Sequence, residues 1–179
     1  MPEVVETVVE VPRWGALGVA GGIVAVAERA ARAALAGVDR DPELHEIGLL
    51  ACDDARIAAL NADFRGKAVP TNVLSWPAFD GPAPEEPPGL PGEGPLFVGD
   101  IALAYETCAR EAEEAGVSLA DHAAHLVVHG TLHLLGHDHA EDGAAEAMEA
   151  IETKVLATMG IANPYSHEER PSGATSGLE

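Results

Sequence analysis

The sequence predicts a single domain in which β-strands and α-helices are mixed. The chain has 179 residues, 47% of them hydrophobic, which is enough for one core. Short β-branched or apolar runs indicate strands, and longer Ala-rich or charged runs with helical spacing indicate helices. We expect the domain to cover residues 1–162, and residues 163–179, which have no periodicity, to form a disordered tail.

The first half of the chain predicts strands and helices that alternate. β-Branched residues before Pro12 indicate the first strand, and Gly37 ends an Ala-rich helix. Asp53 or Asp54 caps the second helix. In order, the predicted elements are a strand over residues 4–11, a helix over 22–35, a strand over 46–52 and a helix from 53 or 54 to about 61.

The second half predicts two more strands and three helices. Residues 80–95 are dense in Pro and Gly and predict an exposed insertion. Asp100 lies inside an apolar run, so it either makes structural hydrogen bonds or belongs to an active site. In order, the predicted elements are strands over residues 71–76 and 96–103, the latter interrupted at 99–100 by a bulge or a strand end, and helices over 106–115, from 118 to the glycine at 136, and over 142–159.

Composition excludes some functions. The chain carries 10 basic and 30 acidic residues, a formal net charge of −20, which argues against a broad, non-specific nucleic-acid binder. The apolar residues 16–27 have no basic leader and are too few to cross a bilayer, so we expect a cytoplasmic protein without membrane contact. Two cysteines without a pairing pattern indicate a reducing compartment or core packing.

Residues 129–139 carry the side chains best suited to chemistry. His129 and His133 are four apart, which on a helix places both imidazoles on one face. Gly136 can adopt the left-handed conformation that ends a helix, so that the chain can bring His139 alongside. Three imidazoles suit zinc first, or another divalent metal, and leave a fourth position for water. The sequence therefore predicts a catalytic centre with one Zn2+ ion per chain.

The same spacing matches the zincin pattern His-x3-His-x2-Gly-x2-His. Gly130 stands where those proteases carry a general-base glutamate, which disfavours a peptidase. A closed structural zinc site is not indicated either, because Cys52 and Cys108 are far apart in sequence.

Two further histidines compete as ligands. His125 shares the face of the first two ligands, but three ligands along one straight helix would span about 11 Å, too far for a single ion. We interpret His125 as a core residue or a partner of a ligand. His137 is four residues from His133, but Gly136 breaks the helix first, so His139 is preferred as the third ligand.

Arg65 and Lys67 flank Gly66 in a segment between the second helix and the next strand. Here two cations lie close together outside a predicted helix. The pair either belongs to a solvated loop or binds an anion.

These motifs together resemble the YbeY family of bacterial rRNA maturation factors, which are single-strand-specific endoribonucleases. The resemblance rests on His129-Gly-Thr-Leu-His-Leu-Leu-Gly-His-Asp-His139, Phe64-Arg-Gly-Lys67, Pro70-Thr-Asn-Val-Leu-Ser-Trp76 and Gly99-Asp-Ile101, in the family's order. These segments cover most of residues 45–140. Asn72 and His137 depart from the pattern, since the family often has Asp and Tyr there.

The resemblance implies an α+β fold in which a small mixed β-sheet packs with helices, one of them a zincin-like metal helix. It implies zinc on His129, His133 and His139, and Arg65 as an essential active-site residue. It also implies maturation of the 3′ end of 16S rRNA and ribosome quality control, with single-stranded rRNA, the small subunit and assembly proteins as partners. Because the chain is acidic, we expect the ribosome or a partner protein to deliver the substrate.

The chemistry expected from these residues is metal-assisted hydrolysis of a phosphodiester bond. Arg65 would stabilise charge on the phosphate, and Lys67 would assist as a second cation. Because Gly130 is no base, proton transfer falls to Asp100 or to metal-activated water. Two alternatives stay open: a zinc peptidase of the zincin type, and a non-enzymatic ribosome-assembly factor in which the metal only holds the fold.

Overall fold

The computed structural model of the chain describes residues 3–84, 94–137 and 143–165, apart from the side chains of Phe64 and Arg65. Four strands within these ranges form one sheet: β1 (Val5–Val9), β2 (His45–Cys52), β3 (Val73–Pro77) and β4 (Leu96–Ala104). Their order is β1-β2-β4-β3, with β1, β2 and β4 parallel and β3 antiparallel at one edge. The predicted α+β fold with a small mixed sheet is confirmed.

The described residues also form five α-helices and two short 3₁₀ helices. The α-helices are α1 (Gly22–Gly37), α2 (Asp54–Arg65), α3 (Tyr105–Ala115), α4 (Leu119–Leu134) and α5 (Ala144–Thr158), and the 3₁₀ helices cover Pro12–Gly15 and Pro42–Leu44. α4 packs against α1, α5 and the sheet. In the part of the chain that the structure describes, every helix is too short or too polar to cross a lipid bilayer.

The alternation of side chains along β4 separates two layers of core. Ile101 and Leu103 belong to the large cluster formed with α1 and α4. Their neighbours Ala102 and Ala104 belong to a smaller cluster on the opposite face, where Ile57 of α2 packs. Because successive side chains of a strand point to opposite faces, the sheet has α1 and α4 on one side and α2 on the other.

β4 is continuous through Gly99 and Asp100, where the sequence predicted an interruption. The irregularity lies one residue earlier, since the register with β2 shifts between residues 46 and 47 and leaves Val98 as the extra residue of a bulge. Gly99 follows with φ +142°, and a Cβ there would lie 2.3 Å from the carbonyl oxygen of Trp76. Glycine is therefore required beside the bulge.

α2 is longer than predicted. We expected it to end near Asn61, but it continues to Arg65 and is capped by Gly66 at φ +72°. Asn61 does not end the helix because it is buried and its Nδ2 donates to the carbonyl oxygen of Val69 at 3.0 Å. Arg65 is consequently the last residue of a helix, and only Lys67 lies in the loop that follows.

The predicted borders of the insertion and the tail also differ from the structure. Residues 80–82 are exposed, but Ala83 is buried and its carbonyl oxygen accepts a hydrogen bond from Arg40 at 2.8 Å. Residues 85–93 of the predicted insertion lie outside the described residues. The folded part extends past residue 162, because Tyr165 contacts α4 and α5; residues 166–179 of the predicted tail lie outside the described residues.

Both cysteines are buried and free. Burial raises the pKa of the Cys52 thiol to about 12. This agrees with core packing, one of the two roles that the sequence left open for the cysteines.

Candidate metal and catalytic site

α4 carries the two described histidines of the predicted metal set. The helix starts after Ser118, whose Oγ accepts a hydrogen bond from the backbone N–H of Asp121 at 3.0 Å. Most of its residues are buried, because apolar side chains cover most of its surface. His129 and His133 are partly exposed, one turn apart on the same strip of the helix.

The end of α4 is built around glycine. Gly136 has φ +104°, and a Cβ there would lie 2.6 Å from the Cα of Pro82. The backbone N–H of His137 donates to the carbonyl oxygen of Leu132 at 3.0 Å, which closes the last turn. The predicted left-handed helix end is confirmed, whereas His139, the predicted third ligand, lies outside the described residues.

β3 supplies a partner to His133. The Oγ of Ser75 lies 3.0 Å from Nδ1 of His133. Ser75 pairs with Ile101 on β4, so both side chains point to the face of the sheet that α4 covers. If neutral His133 bound a metal through Nε2, its proton would be on Nδ1 and would be donated to Ser75.

α5 supplies a partner to His129. Glu152 is fully buried, with Oε2 2.7 Å from Nδ1 of His129 and Oε1 3.1 Å from Nε2 of His125. The hydroxyl of Tyr165 also donates to Oε1. Burial raises the pKa of Glu152, but the hydrogen bonds from these three side chains outweigh it and lower the pKa to about 2. Because an ionised carboxylate only accepts hydrogen bonds, all three partners are donors.

Sequence reasoning missed Glu152, although a signal was present. α5 buries Met148, Val155 and Leu156, and Glu152 lies one turn after Met148 on the same buried stripe. A carboxylate in such a position needs partners, because an isolated buried charge is unfavourable. His125, interpreted from the sequence as a core residue or a partner of a ligand, is one of those partners.

The two predicted cations lie at the start of the segment that leads to β3. Arg65 is the last residue of α2, and Lys67 is exposed one residue after the helix cap. β3 is one of the two edge strands of the sheet and carries Ser75. The chain therefore runs from the predicted phosphate-binding residues directly into the strand that contacts His133.

The structure does not bring Asp100 to the histidines. A Cβ on Gly130 of α4 would lie 3.0 Å from Cδ1 of Ile101, so Ile101 points towards α4. Asp100 therefore points to the opposite face, where a Cβ on Gly48 would lie 2.2 Å from its Oδ1. There Asp100 and Trp76 line an open groove of about 540 Å³. This placement contradicts a catalytic role for Asp100 beside His129 and His133.

Among residues 3–84, 94–137 and 143–165, no three His, Cys, Asp or Glu side chains are grouped so that they could hold one metal ion. The predicted set has two members within these ranges, and both have an Nδ1 atom held by a side chain from another element. Imidazoles whose second nitrogen is held in this way are typical of histidine ligands in metalloproteins. Two histidines on a buried helix, each with Nδ1 held by another side chain, are thus the features that this site shares with histidine metal sites.

Comparison with known proteins shows the family of this chain. The family Endoribonuclease YbeY matches residues 21–160. The protein of that name from Dinoroseobacter shibae is 54% identical over 167 residues, covering 90% of this chain and 90% of its own. The one from Ruegeria pomeroyi is 53% identical over 165 residues, covering 89% of this chain and 96% of its own. The chain belongs to the Endoribonuclease YbeY family.

A solved structure supports the fold. The solution structure of TM1509 from Thermotoga maritima is similar to this chain with a TM-score of 0.57 and 18% identity, and the match covers 96% of each chain. At this identity the similarity concerns the arrangement of helices and strands alone.

Proposed function

We propose that the chain is an endoribonuclease that hydrolyses phosphodiester bonds in single-stranded RNA with the help of a bound metal. We further propose that it acts in 3′-end maturation of 16S rRNA and in ribosome quality control. The observation that carries the proposal is the membership of the chain in the Endoribonuclease YbeY family over residues 21–160. The paired histidines of α4 support the metal dependence, because a divalent metal promotes this hydrolysis.

We assign one zinc ion per chain to His129, His133 and His139. Imidazole nitrogens suit zinc, and three protein ligands are typical of catalytic zinc sites. The assignment is supported at His129 and His133, whose Nδ1 atoms have partners at 2.7 and 3.0 Å, so that a metal bond would use Nε2 in each ring. When bound, zinc supplies a Lewis acid that polarises a phosphoryl oxygen.

We assign recognition of the scissile phosphate to Arg65, with Lys67 as a second cation. A planar guanidinium can donate two parallel hydrogen bonds to a phosphate and stabilise the charge that grows in the transition state. The position of both residues just before β3 supports this assignment. Asp100 has no part in it, because its side chain lies on the other face of the sheet.

The charge of the chain bears on how RNA reaches the site. A net charge of −20 repels a polyanion at long range. We propose that the ribosomal small subunit or an assembly protein delivers single-stranded rRNA to the site in the cytoplasm. In this view Arg65 and Lys67 act only once the RNA is in place.

A zincin-type zinc peptidase is the second candidate, favoured by the spacing of the histidines. The packing at position 130 speaks against it. Gly130 is buried, and a Cβ there would already lie 3.0 Å from Cδ1 and 3.3 Å from Cγ1 of Ile101. A general-base glutamate at this position would press against the side chain of Ile101, and with Gly130 there the chain lacks the base that such peptidases use.

The test uses defined rRNA fragments and unstructured peptides with three proteins whose metal content is measured first. The wild type should cut single-stranded RNA, leave the peptides intact and lose activity with a chelator. Arg65→Ala should keep the ion but lose about 10²–10³-fold in kcat, as expected for loss of a transition-state donor. His129→Ala should lose both the ion and the activity.

Two outcomes would overturn the proposal. Cleavage of peptides by the wild type, with RNA left intact, would identify a peptidase. An Arg65→Ala protein with unchanged biological activity, together with a His133→Ala protein that fails to fold, would identify a non-enzymatic assembly factor in which the metal only holds the fold.

A further inference from the structure

Glu152 is a buried charge that the proposed hydrolysis does not itself require. Its side chain is 0% exposed, on the side of α5 that packs against α4. A carboxylate in this position costs free energy unless donors surround it. Three donors do so: His125 and His129 from α4, and Tyr165 from the segment after α5.

The two oxygens of the carboxylate have different partners. Oε1 accepts from His125 and Tyr165, and Oε2 accepts from Nδ1 of His129 at 2.7 Å. His125 and Tyr165 therefore anchor one oxygen and leave the other directed at His129. His125 is one turn before His129 on the same helix, so the anchor and the anchored ring belong to one rigid element.

We infer that Glu152 is a positioning residue that fixes the tautomer and the orientation of His129, with His125 and Tyr165 holding the carboxylate in place. Because Glu152 accepts at Nδ1, a neutral His129 carries its proton there, and its lone pair is on Nε2. A carboxylate partner also raises the basicity of the imidazole. This inference names a new residue of the proposed metal site and so rests on the proposed function.

A comparison of Ser75 with Glu152 shows why the inference applies to His129 and not to His133. Each contacts the Nδ1 atom of one histidine, and the two come from different elements, β3 and α5. A hydroxyl can donate or accept, whereas an ionised carboxylate only accepts. Glu152 therefore dictates the tautomer of its histidine in a way that Ser75 does not.

The experiment measures the ring tautomer and zinc binding separately. NMR of metal-free protein with 15N-labelled histidine should show neutral His129 with its proton on Nδ1. Competition with a chromophoric chelator should show that Glu152→Gln binds zinc about 10–100-fold more weakly than the wild type, as for other partners of histidine ligands. Glutamine keeps the shape but offers only one accepting oxygen to three donors.

Glu28→Gln is the matched control. Glu28 also accepts hydrogen bonds from three residues, Val4, Val5 and Arg32. It lies on α1 and contacts neither histidine. This change should lower the melting temperature and leave zinc affinity unchanged. Tyr165→Phe, which removes one donor without touching His129, should weaken zinc binding less than Glu152→Gln does.

Three results would overturn the inference. One is a wild type in which neutral His129 carries its proton on Nε2, a result that does not depend on any variant folding. The second is a Glu152→Gln protein with wild-type zinc affinity. The third is a Glu152→Gln protein that loses stability as Glu28→Gln does, but in which neutral His129 still carries its proton on Nδ1. Glu152 would then have a purely structural role. RNA left uncut by the wild type would overturn the proposed function but not the tautomer result.

Discussion

At the scale of residues, the spacing of the histidines can be predicted from the sequence, whereas the side chains that contact them cannot. His129 and His133 share a helix, so their separation of four residues already places them on one face. Ser75 and Glu152 are 58 and 23 residues away from the histidines that they contact. Such contacts depend on how β3 and α5 pack against α4, which local pattern does not determine.

The first prediction concerns Ser75. Ser75→Ala removes the partner of Nδ1 in His133, so we expect zinc affinity to fall by about tenfold while the fold is kept. Ser118→Ala is the control, because it removes the cap of the same helix, α4, without touching either histidine. It should cost about 1 kcal/mol of stability and leave zinc affinity unchanged. Chelator competition and urea unfolding measure the two quantities. A Ser75→Ala protein that binds zinc as tightly as Ser118→Ala would contradict the assigned contact.

Asp100 shows where residue-level reasoning fails. A carboxylate inside an apolar strand indicated either structure or function, but the choice depended on which face of the sheet it occupied. The alternation of β4 places Ile101 towards α4 and hence Asp100 away from it. That assignment requires the position of α4, which the sequence of the strand alone does not contain.

At the scale of elements, caps and stops predicted the helices well. α3 and α4 begin and end within two residues of the predicted borders at 106, 115, 118 and 136, and Gly116 and Ser118 lie at the caps between them. The predicted end of α2 near residue 61 is too early, because the side chain of Asn61 bonds to the loop after the helix and Gly66 provides the stop. Polar residues that end helices and polar residues that hold nearby loops look alike in sequence.

The second prediction compares two helix ends. Gly136→Ala should cost about 3 kcal/mol, because φ is +104° and the new Cβ would lie 2.6 Å from the backbone of Pro82. Gly116→Ala should cost only about 1 kcal/mol, because φ is +72° but nothing lies within 4 Å. Urea unfolding of the metal-free proteins measures both. Equal costs would mean that the turn after α4 is not packed against the segment at residues 81–82.

The third prediction concerns the link between β1 and α1. Burial raises the pKa of Glu28, but hydrogen bonds from the backbone of Val4 and Val5 and from Arg32 outweigh it, so that the pKa lies below 4.5. Its stabilisation is therefore present above about pH 4.5 and lost as the pH falls through the lower, folded-state pKa. We expect Glu28→Gln to cost about 2 kcal/mol at pH 7.

Urea unfolding at two pH values checks this prediction. The difference between wild type and Glu28→Gln should shrink as the pH is lowered through the depressed pKa of Glu28, because the carboxylate then takes up a proton. A difference that stays constant or grows on acidification would show that the charge of Glu28 does not hold β1 to α1.

At the scale of the whole molecule, the sequence predicted a mixed domain but not the strand order. The order β1-β2-β4-β3 places the last strand between the second and the third. Nothing in the pattern of single strands requires this, because neighbours in a sheet are chosen by the packing of α1, α2 and α4 on its faces. The resemblance to a known family supplied the mixed sheet, and the structure supplies its order.

The fourth prediction follows from the net charge of −20. Two phosphate contacts, from Arg65 and Lys67, would give a slope of about −1.4 for the logarithm of the affinity for single-stranded RNA against the logarithm of the salt concentration. Salt also screens the repulsion between the acidic chain and the RNA, which opposes this loss of affinity. We expect kcat/KM for a short single-stranded RNA to fall less than about tenfold between 50 and 200 mM salt. A loss of about 10³-fold would instead show that a broad basic surface captures the RNA.

The central claim is that three histidines hold one zinc ion and leave a coordination position open. X-ray absorption at the zinc edge, on the purified zinc-loaded protein, tests it most directly. We predict three imidazole nitrogens at about 2.0–2.1 Å and a fourth, oxygen ligand from solvent. A spectrum with sulfur ligands, or with four ligands from protein side chains, would contradict the claim. A wild-type protein that binds no more zinc than His129→Ala would contradict it as well.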